Sequence, residues 1–178
     1  ASPLLRSIAQ DKNGVIWIGT TEGLFLINDP TKMFNDNFRV YRIKIPRNDG
    51  TGLADYLLDT EEIKAIAVDG ANRKWIGTAS SGVYLVSEDG LETIHHFTSE
   101  NSPLLSNAIQ SIAIHEKTGE VFIGTGNGLI SYQSDAIEGG DRFQNVRAYP
   151  NPVRPEYTGL ITITGLITDT QIRITDIN

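Results

Sequence analysis

The sequence contains no cysteine, a single methionine and no long apolar run. Without cysteine, the 178 residues hold no disulfide, no thiolate metal ligand and no cysteine nucleophile. Because a membrane-spanning helix needs about 20 apolar residues, we expect no membrane-spanning segment. Basic residues are also scarce, and the formal net charge is −7. An acidic chain is poorly suited to bind phosphates of nucleic acids or anionic lipids, so we expect no nucleic-acid partner.

What the sequence does contain is a motif that occurs three times. Trp17-Ile18-Gly19-Thr20 returns as Trp75-Ile76-Gly77-Thr78 and as Phe122-Ile123-Gly124-Thr125. In each copy an apolar stretch and a polar turn precede the motif, and a glycine opens another apolar stretch after it. Repeats of roughly 40–50 residues that consist of short strands are typical of propeller blades. The sequence therefore predicts an all-β fold containing a partial β-propeller.

The repeats predict three four-stranded blades in residues 1–134. Apolar runs and turn residues place three strands in each blade, and an alternating outer strand follows in the first two. The third blade shows no candidate for its own fourth strand, and Pro46 to Glu62 is predicted to be a long connection. The predicted strands are 4–10, 15–20, 23–28 and 37–45, then 63–69, 73–78, 82–87 and 92–98, then 108–114, 120–125 and 128–133.

The repeated motif also predicts how the blades pack. We expect the indoles of Trp17 and Trp75 to be buried between blades. A glycine after the aromatic residue lets the neighbouring blade approach closely, although a strand glycine at a bend would explain the same pattern. The structural residues of the repeat are Trp17, Gly19, Trp75, Gly77, Phe122 and Gly124.

Three polar segments within the repeats allow more than one interpretation. The strand that begins at Arg73-Lys74 is polar at its start, so this end is predicted to reach solvent. The turn from Asp11 to Gly14 has a partial calcium-loop pattern, but it lacks the closing glutamate, which favours a hairpin held by aspartate hydrogen bonds. His95 and His96 are adjacent in a strand and point to opposite faces, so they cannot hold one metal ion.

The composition changes after Ser134. Residues 135–144 are predicted to be a linker, and a second module is predicted at 145–178. Alternation at 160–164 and 171–175 indicates strands with one buried face. Prolines near the start of the module are typical of the edge of a β-sandwich, here an immunoglobulin-like sandwich that is only partly present.

The repeats resemble the two-component-regulator propeller repeat, in which Trp-Ile-Gly-Thr is followed by Gly-Leu and an aromatic residue. That resemblance implies a seven-bladed propeller of a Bacteroidetes-type bacterium. The segment Tyr149-Pro150-Asn151-Pro152-Val153, with the strands after it, resembles the start of the C-terminal sorting domain of type IX secretion cargo. Together, the two modules resemble the PorZ-like family of surface propeller proteins.

The resemblance to the PorZ-like family implies a non-enzymatic scaffold in type IX secretion and cargo attachment, located at the cell surface or in the periplasm. Its partners would be proteins of the secretion machinery and lipopolysaccharide or another glycan, without a cofactor or metal. The alternative is the periplasmic glycan-sensing propeller of a hybrid two-component histidine kinase. A polysaccharide-cleaving enzyme is disfavoured because no Ser-His-Asp order or metal-ligand spacing stands out, and the acidic residues fall mainly in hairpin turns.

A ligand would be expected on the face that carries the loops between second and third strands and the connections between blades. Small polar residues there are commonly turn formers, so they are candidates for ligand contact only. The candidate ligand-binding residues are Thr21, Glu22, Asp55, Tyr56, Ser80, Ser81 and Asn127.

Three blades cannot close a propeller, which needs about four to eight. The sequence is therefore expected to be part of a longer chain. Its first partner would be the remainder of that chain, with further blades upstream and further sandwich strands downstream.

Overall fold

A computed structural model describes residues 3–140, 143, 145–159, 161–167 and 170–173. The chain divides into two compact units, Ala1–Ile137 and Glu138–Asn178. Among the described residues the regular elements are antiparallel strands, with one short 3-10 turn at Pro30–Lys32. The predicted all-β fold class is thus confirmed.

The first sheet has three strands, β1 (Leu5–Gln10), β2 (Ile16–Thr20) and β3 (Gly23–Ile27), in sequential order. The β1–β2 turn is a hairpin in which Asp11 Oδ1 accepts from the backbone N–H groups of Asn13 and Val15. This hydrogen bonding is the aspartate-held turn favoured by the sequence.

The predicted fourth strand of the first blade, residues 37–45, is wrong as a regular strand. Only Tyr41 bridges to Leu26 of β3. The chain then forms a separate hairpin from β4 (Lys44–Pro46) and β5 (Ala54–Tyr56), which takes in the end of the predicted strand and part of the predicted long connection. The alternating pattern identified an extended segment but could not identify its pairing partner.

The second sheet has all four predicted strands, β6 (Ile63–Val68), β7 (Lys74–Thr78), β8 (Val83–Val86) and β9 (Thr93–Phe97). In the third sheet, β10 (Ile109–His115), β11 (Glu120–Thr125) and β12 (Gly128–Gln133) pair in the predicted order. A four-stranded blade is therefore seen once within the described chain, and the other two sheets have three strands each.

The three sheets stack face to face. Between the first and second sheets lies a buried core that contains Trp17, Ile63 and Ile76. A second core between the second and third sheets contains Trp75 and Ile109. Strand β7 supplies neighbouring residues to opposite cores, because successive side chains of a strand point to opposite faces.

Two glycines mark the closest approach between sheets. A Cβ atom placed on Gly19 would lie 2.6 Å from Cγ2 of Ile63, and one on Gly77 would lie 2.5 Å from Cγ2 of Ile109. Gly124 is different, because a Cβ there would meet only its own sheet at Ser111. The same glycine of the repeat thus accommodates an isoleucine of the next sheet at both junctions.

In the second unit, β13 (Arg147–Tyr149) pairs with β14 (Thr162–Thr164). The strand predicted at 160–164 is therefore shorter than expected. No strand is present at 171–173, and the rest of the predicted strand 171–175 lies outside the described residues. The assignment of residues 145–178 to a β-sandwich, and of 135–144 to a linker, stays a prediction.

Candidate functional site

Most of the candidate ligand residues lie in the three turns between second and third strands, which share one hydrogen-bond pattern. A threonine hydroxyl donates across each turn to a glycine carbonyl: Thr20 to Gly23, Thr78 to Gly82 and Thr125 to Gly128. These turns therefore occupy equivalent positions in the three sheets.

In the first turn, the Thr21 hydroxyl accepts from the backbone N–H of Leu4, at 3.0 Å. Glu22 has an exposed side chain, and its carbonyl accepts a long 3.4 Å hydrogen bond from Arg42. In the third turn, the Asn127 amide donates to the carbonyl of Leu105, at 3.1 Å. Of these three residues, Glu22 has the side chain most available to a ligand.

The second turn contains the exposed Ser80 and the half-buried Ser81. The Ser81 hydroxyl donates to Oε1 of Glu61 at 2.8 Å, and Nε2 of His96 lies 2.7 Å from the Ser81 carbonyl oxygen. The histidine therefore contacts the backbone of the serine, whereas a general base would contact the hydroxyl. Burial raises the pKa of Tyr84, which stacks on His96 at 3.9 Å, and the charge of Glu61 raises it further.

Asp55 and Tyr56 lie in strand β5, where they point to opposite faces. Asp55 forms an ion pair with Arg47. Tyr56 lies against Arg42, whose Cζ is 4.4 Å from the centre of the ring. Since Arg42 also reaches the carbonyl of Glu22, it brings two of the candidate residues, Glu22 and Tyr56, into one neighbourhood.

Ser81 is linked to the first turn indirectly. Its partner Glu61 accepts a backbone hydrogen bond from Gly23 through its carbonyl oxygen. No contact among the described residues joins Asn127 to this group. The structure therefore gathers the candidates of the first and second turns and leaves Asn127 apart from them.

Sequence reasoning missed a cleft at the opposite end of the strands. This cleft, of about 440 Å³, lies between the β1–β2 turn and the β8–β9 turn. Carboxylate side chains and apolar side chains both line this cleft. The lining residues include Asp11, Glu88, Asp89, Val15, Trp17 and Leu26.

Beneath the cleft, Asp11 of the first sheet meets Lys74 of the second. Asp11 Oδ2 accepts from Nε1 of Trp17 and from Nζ of Lys74, both at 3.0 Å. Burial raises the pKa of Asp11, but the hydrogen bonds from Lys74 and Trp17 and the lysine charge outweigh burial, so the pKa is lowered overall. Asp11 is therefore an anion held inside the protein by a cation of the neighbouring sheet.

Lys74 is fully buried, so the prediction that its end of the strand reaches solvent is wrong. Its ammonium group donates to the carbonyls of Asn72 at 2.8 Å and Glu88 at 2.6 Å, and it lies 4.7 Å from the ring centre of Trp17. These contacts replace the water that a lysine normally keeps. The equivalent positions in the other sheets, Ile16 and Val121, are apolar, which was a sequence signal that this position is buried.

At the second junction, the corresponding aspartate has a different cation. Asp69 Oδ2 accepts from Nε1 of Trp75 at 3.3 Å and from Nε of Arg73, in its own sheet, at 2.8 Å. Arg73 also pairs with Asp135 at 2.8 Å. Burial lowers the pKa of Arg73, but Asp135 and Asp69 outweigh burial and raise it overall.

The third repeat lacks this arrangement. Phe122 stands in place of the tryptophan and has no N–H group, and its ring is half-buried. Glu116 precedes it where Asp11 and Asp69 precede the tryptophans. The indole and its aspartate acceptor are thus lost together.

The described part of the chain holds no group of three or more His, Asp or Glu side chains placed to bind a metal ion. Within the described residues there is also no helix long and apolar enough to cross a membrane.

Comparisons with known proteins agree with this architecture. The family model described as the two-component regulator propeller matches residues 2–22. No curated protein matches the chain. Solved structures do match, and the following are among the most similar.

PorZ, an essential bacterial surface component of the type-IX secretion system of Porphyromonas gingivalis, is 36% identical over 92% of this chain, with a TM-score of 0.70. The extracellular domain of the hybrid two-component system BT3049 from B. thetaiotaomicron is 26% identical over 82% of the chain, with a TM-score of 0.56. That of BT4673 from the same organism, at 19% identity and a TM-score of 0.53, shares the fold.

This chain covers only 22% of the PorZ chain and 19% of the BT3049 chain, so it spans about a fifth of their length. These relatives are extracellular or surface propeller proteins that serve in regulation or secretion. The chain accordingly carries two-component-regulator propeller repeats in an all-β, propeller-type fold similar to PorZ and to the extracellular domains of hybrid two-component systems.

Proposed function

We propose that this chain is part of a non-enzymatic propeller scaffold that acts in type IX secretion and cargo attachment, at the cell surface or in the periplasm. The observation that carries the proposal is the similarity to PorZ, at 36% identity over 92% of the chain. A match of that extent reaches into the second unit, because Ala1–Ile137 alone makes up about three quarters of the chain. Similarity across both units supports a role like that of the surface component.

The local chemistry supports a binding role over a catalytic one. Among the described residues, Glu61, Ser81 and His96 bring an acid, a serine and a histidine together. The serine hydroxyl, however, donates its hydrogen bond to the glutamate, and the histidine contacts the serine carbonyl. The turns carrying Thr21, Ser81 and Asn127 are held by hydrogen bonds within the protein. Such fixed loops suit recognition of a protein or a lipopolysaccharide glycan without turnover.

Deleting the gene in its host and following a type IX cargo protein tests the proposal. The expected result is cargo that fails to attach to the cell surface, with attachment restored by the wild-type gene. A control strain would carry a gene for the full protein with Lys117→Gln, an exposed change in the third sheet that should restore attachment fully. Normal cargo attachment in the deletion strain would overturn the proposal.

The second candidate is a glycan-sensing extracellular propeller of a hybrid two-component system. It is favoured by the 26% identity to BT3049 over 82% of the chain. A sensor would alter transcription of glycan-utilisation genes when deleted and would leave cargo attachment intact. The same deletion strain, examined by RNA sequencing, therefore separates the two functions.

A further inference from the structure

The short segment that follows the third sheet is packed against the first unit. Residues 134–137 come directly after β12, and Ser134 and Ala136 are buried although they lie outside the strands. The backbone N–H of Ser134 donates to the carbonyl of Gly119 at 3.2 Å. A Cβ atom on Gly119 would lie 2.5 Å from the carbonyl oxygen of Ala136, so this segment lies directly against the β10–β11 turn. Residues 134–137 are called the strap below.

One arginine of the second sheet holds the strap. Nη2 of Arg73 donates to Oγ of Ser134 at 3.0 Å and to Oδ1 of Asp135 at 2.8 Å. Nε of the same guanidinium donates to Oδ2 of Asp69 at 2.8 Å. The hydrogen bond from Arg73 lowers the pKa of Asp135, although burial opposes this shift. A single guanidinium therefore connects a carboxylate of the β6–β7 turn with a carboxylate of the strap.

The two carboxylates differ in how far water reaches them. The side chain of Asp69 is 0% exposed, whereas that of Asp135 is 69% exposed. When the strap opens, Arg73 keeps Asp69 as its partner and Asp135 enters water. No buried charge loses its counter-ion, so opening costs much less than separating a fully buried pair. Asp11 and Lys74 are such a buried pair, and their separation would leave two unpaired charges inside the protein.

We propose that the strap is a releasable tether, which the Arg73–Asp135 ion pair holds closed and which opens without unfolding of the sheets. The first unit ends at Ile137 and the second begins at Glu138, so the strap is the last part of the chain before the second unit. An open strap adds four residues to the connection, or about 13 Å of extended chain.

Ionic strength is expected to shift the strap between its two states, because salt screens an exposed ion pair. Opening lengthens the reach of residues 138–178 and leaves the sheets intact. The inference goes beyond the proposed function, since a longer connection would alter the motion of the second unit in a scaffold and in a sensor alike.

Hydrogen–deuterium exchange of the purified protein, measured by mass spectrometry, tests this inference. The reporters are the backbone N–H groups of Ser134 and Ala136, which donate to the Gly119 carbonyl and to Oγ of Ser134. Raising the salt concentration from about 0.02 M to about 0.5 M should quicken exchange in the strap by about threefold. Exchange in β7 and β11 should not change, because the sheets stay folded.

Two variants locate the effect. Asp135→Ala removes the exposed partner of Arg73 and leaves Asp69 in place, so strap exchange should quicken by about threefold or more and lose its dependence on salt. Glu116→Ala is the matched control. It removes another exposed carboxylate of the third sheet, which forms no ion pair with any residue that the structure describes, and should leave strap exchange unchanged. The urea midpoints of both variants should stay close to that of the wild type.

Four results would overturn the proposal. Strap exchange that salt does not alter in the wild type, or that Asp135→Ala does not quicken, would show that the ion pair does not hold the strap. Equal quickening in β7 and β11 would show that the sheets open instead. A loss of urea stability as large as that of Lys74→Met would make the pair a permanent part of the fold. None of these results concerns cargo attachment in cells, so failure of the strap is distinguishable from failure of the proposed function.

Discussion

Nζ of Lys74 lies 3.0 Å from Oδ2 of Asp11, across the junction between the first and second sheets, and both side chains are almost completely buried. The two residues come from turns and strands far apart in sequence. Glu88 lies beside this contact. Its carboxylate accepts hydrogen bonds from the side-chain amides of Asn13 and Asn72, at 2.7 and 3.2 Å. This polar cluster fastens one sheet to the next beside the apolar core.

Removal of the lysine should be strongly destabilising. Lys74→Met keeps the approximate volume but leaves the charge of Asp11 buried without its cation, which costs about 3–5 kcal/mol in comparable pairs. The double variant with Asp11→Asn should recover much of that loss, because no unpaired charge remains. Urea denaturation of the single and double variants measures both effects.

Lys64→Met is the matched control, since Lys64 pairs with Glu62 at the surface and exposed pairs contribute little. Its unfolding midpoint should stay close to that of the wild type. A Lys74→Met protein as stable as the Lys64→Met protein would contradict the role of the buried pair.

The same carboxylate predicts a dependence of stability on pH. The folded-state pKa of Asp11 is lowered from its ordinary value of 3.8, so its ionised form stabilises the native state. That contribution is complete above the unfolded pKa and is lost as the pH falls through the lower folded pKa. Asp11→Asn should therefore show a shallower loss of stability below about pH 4 than the wild type does.

Urea unfolding at a series of pH values from neutral to acid measures this difference. Asp36→Asn, an exposed substitution with the same change of charge, provides the comparison. Parallel acid profiles for the wild type and Asp11→Asn would show that Asp11 does not contribute through its ionisation.

The burial of Lys74 illustrates what the sequence could not predict. A lysine at the start of a strand ordinarily reaches water, and its carboxylate partner belongs to the turn of a previous repeat. Only alignment with the apolar Ile16 and Val121 marks the position as interior. Pairing across sheets depends on how the sheets stack, which periodicity within one strand does not encode.

The second sheet was predictable because its four strands are separated by short turns, so each strand pairs with its sequence neighbour. The pairing of the outer strand of the first blade could not be predicted in this way. Its segment follows the 3-10 turn at Pro30–Lys32, bridges β3 only at Tyr41, and then pairs with β5. Alternating polarity at 37–45 correctly indicated extended backbone but left the partner undetermined. Prediction of the candidate site from the sequence had the same limit. Arg42 contacts both Glu22 and Tyr56 in the folded protein, but their positions in the sequence do not show this.

The tryptophans of the repeat predict a graded series of stability losses. Trp17 and Trp75 are 1% and 0% exposed and each donates to a buried aspartate. Replacement of either by alanine should cost about 3–5 kcal/mol. Phe122→Ala should cost less, because that ring is only half-buried and has no polar partner. Thermal and urea unfolding of the three variants test the order, and an equal loss in all three would contradict it.

The glycine of the second repeat predicts a packing effect that can be isolated from backbone strain. The backbone of Gly77 does not adopt the left-handed conformation that favours glycine, so alanine is allowed there by the main chain. The added Cβ, however, would lie 2.5 Å from Cγ2 of Ile109 in the third sheet. Because cores resist overpacking, Gly77→Ala should destabilise the protein by about 1–3 kcal/mol.

Two further variants make this prediction specific to the junction. Gly124→Ala should be milder, because its Cβ would meet only the rotatable hydroxyl of Ser111, at 2.6 Å. Combining Gly77→Ala with Ile109→Ala removes the clashing methyl group, so the losses of the two single variants should not add. A double-mutant cycle by urea denaturation measures the coupling. Strictly additive losses, or equal effects of alanine at 77 and 124, would show that close approach of the third sheet is not what requires glycine at position 77.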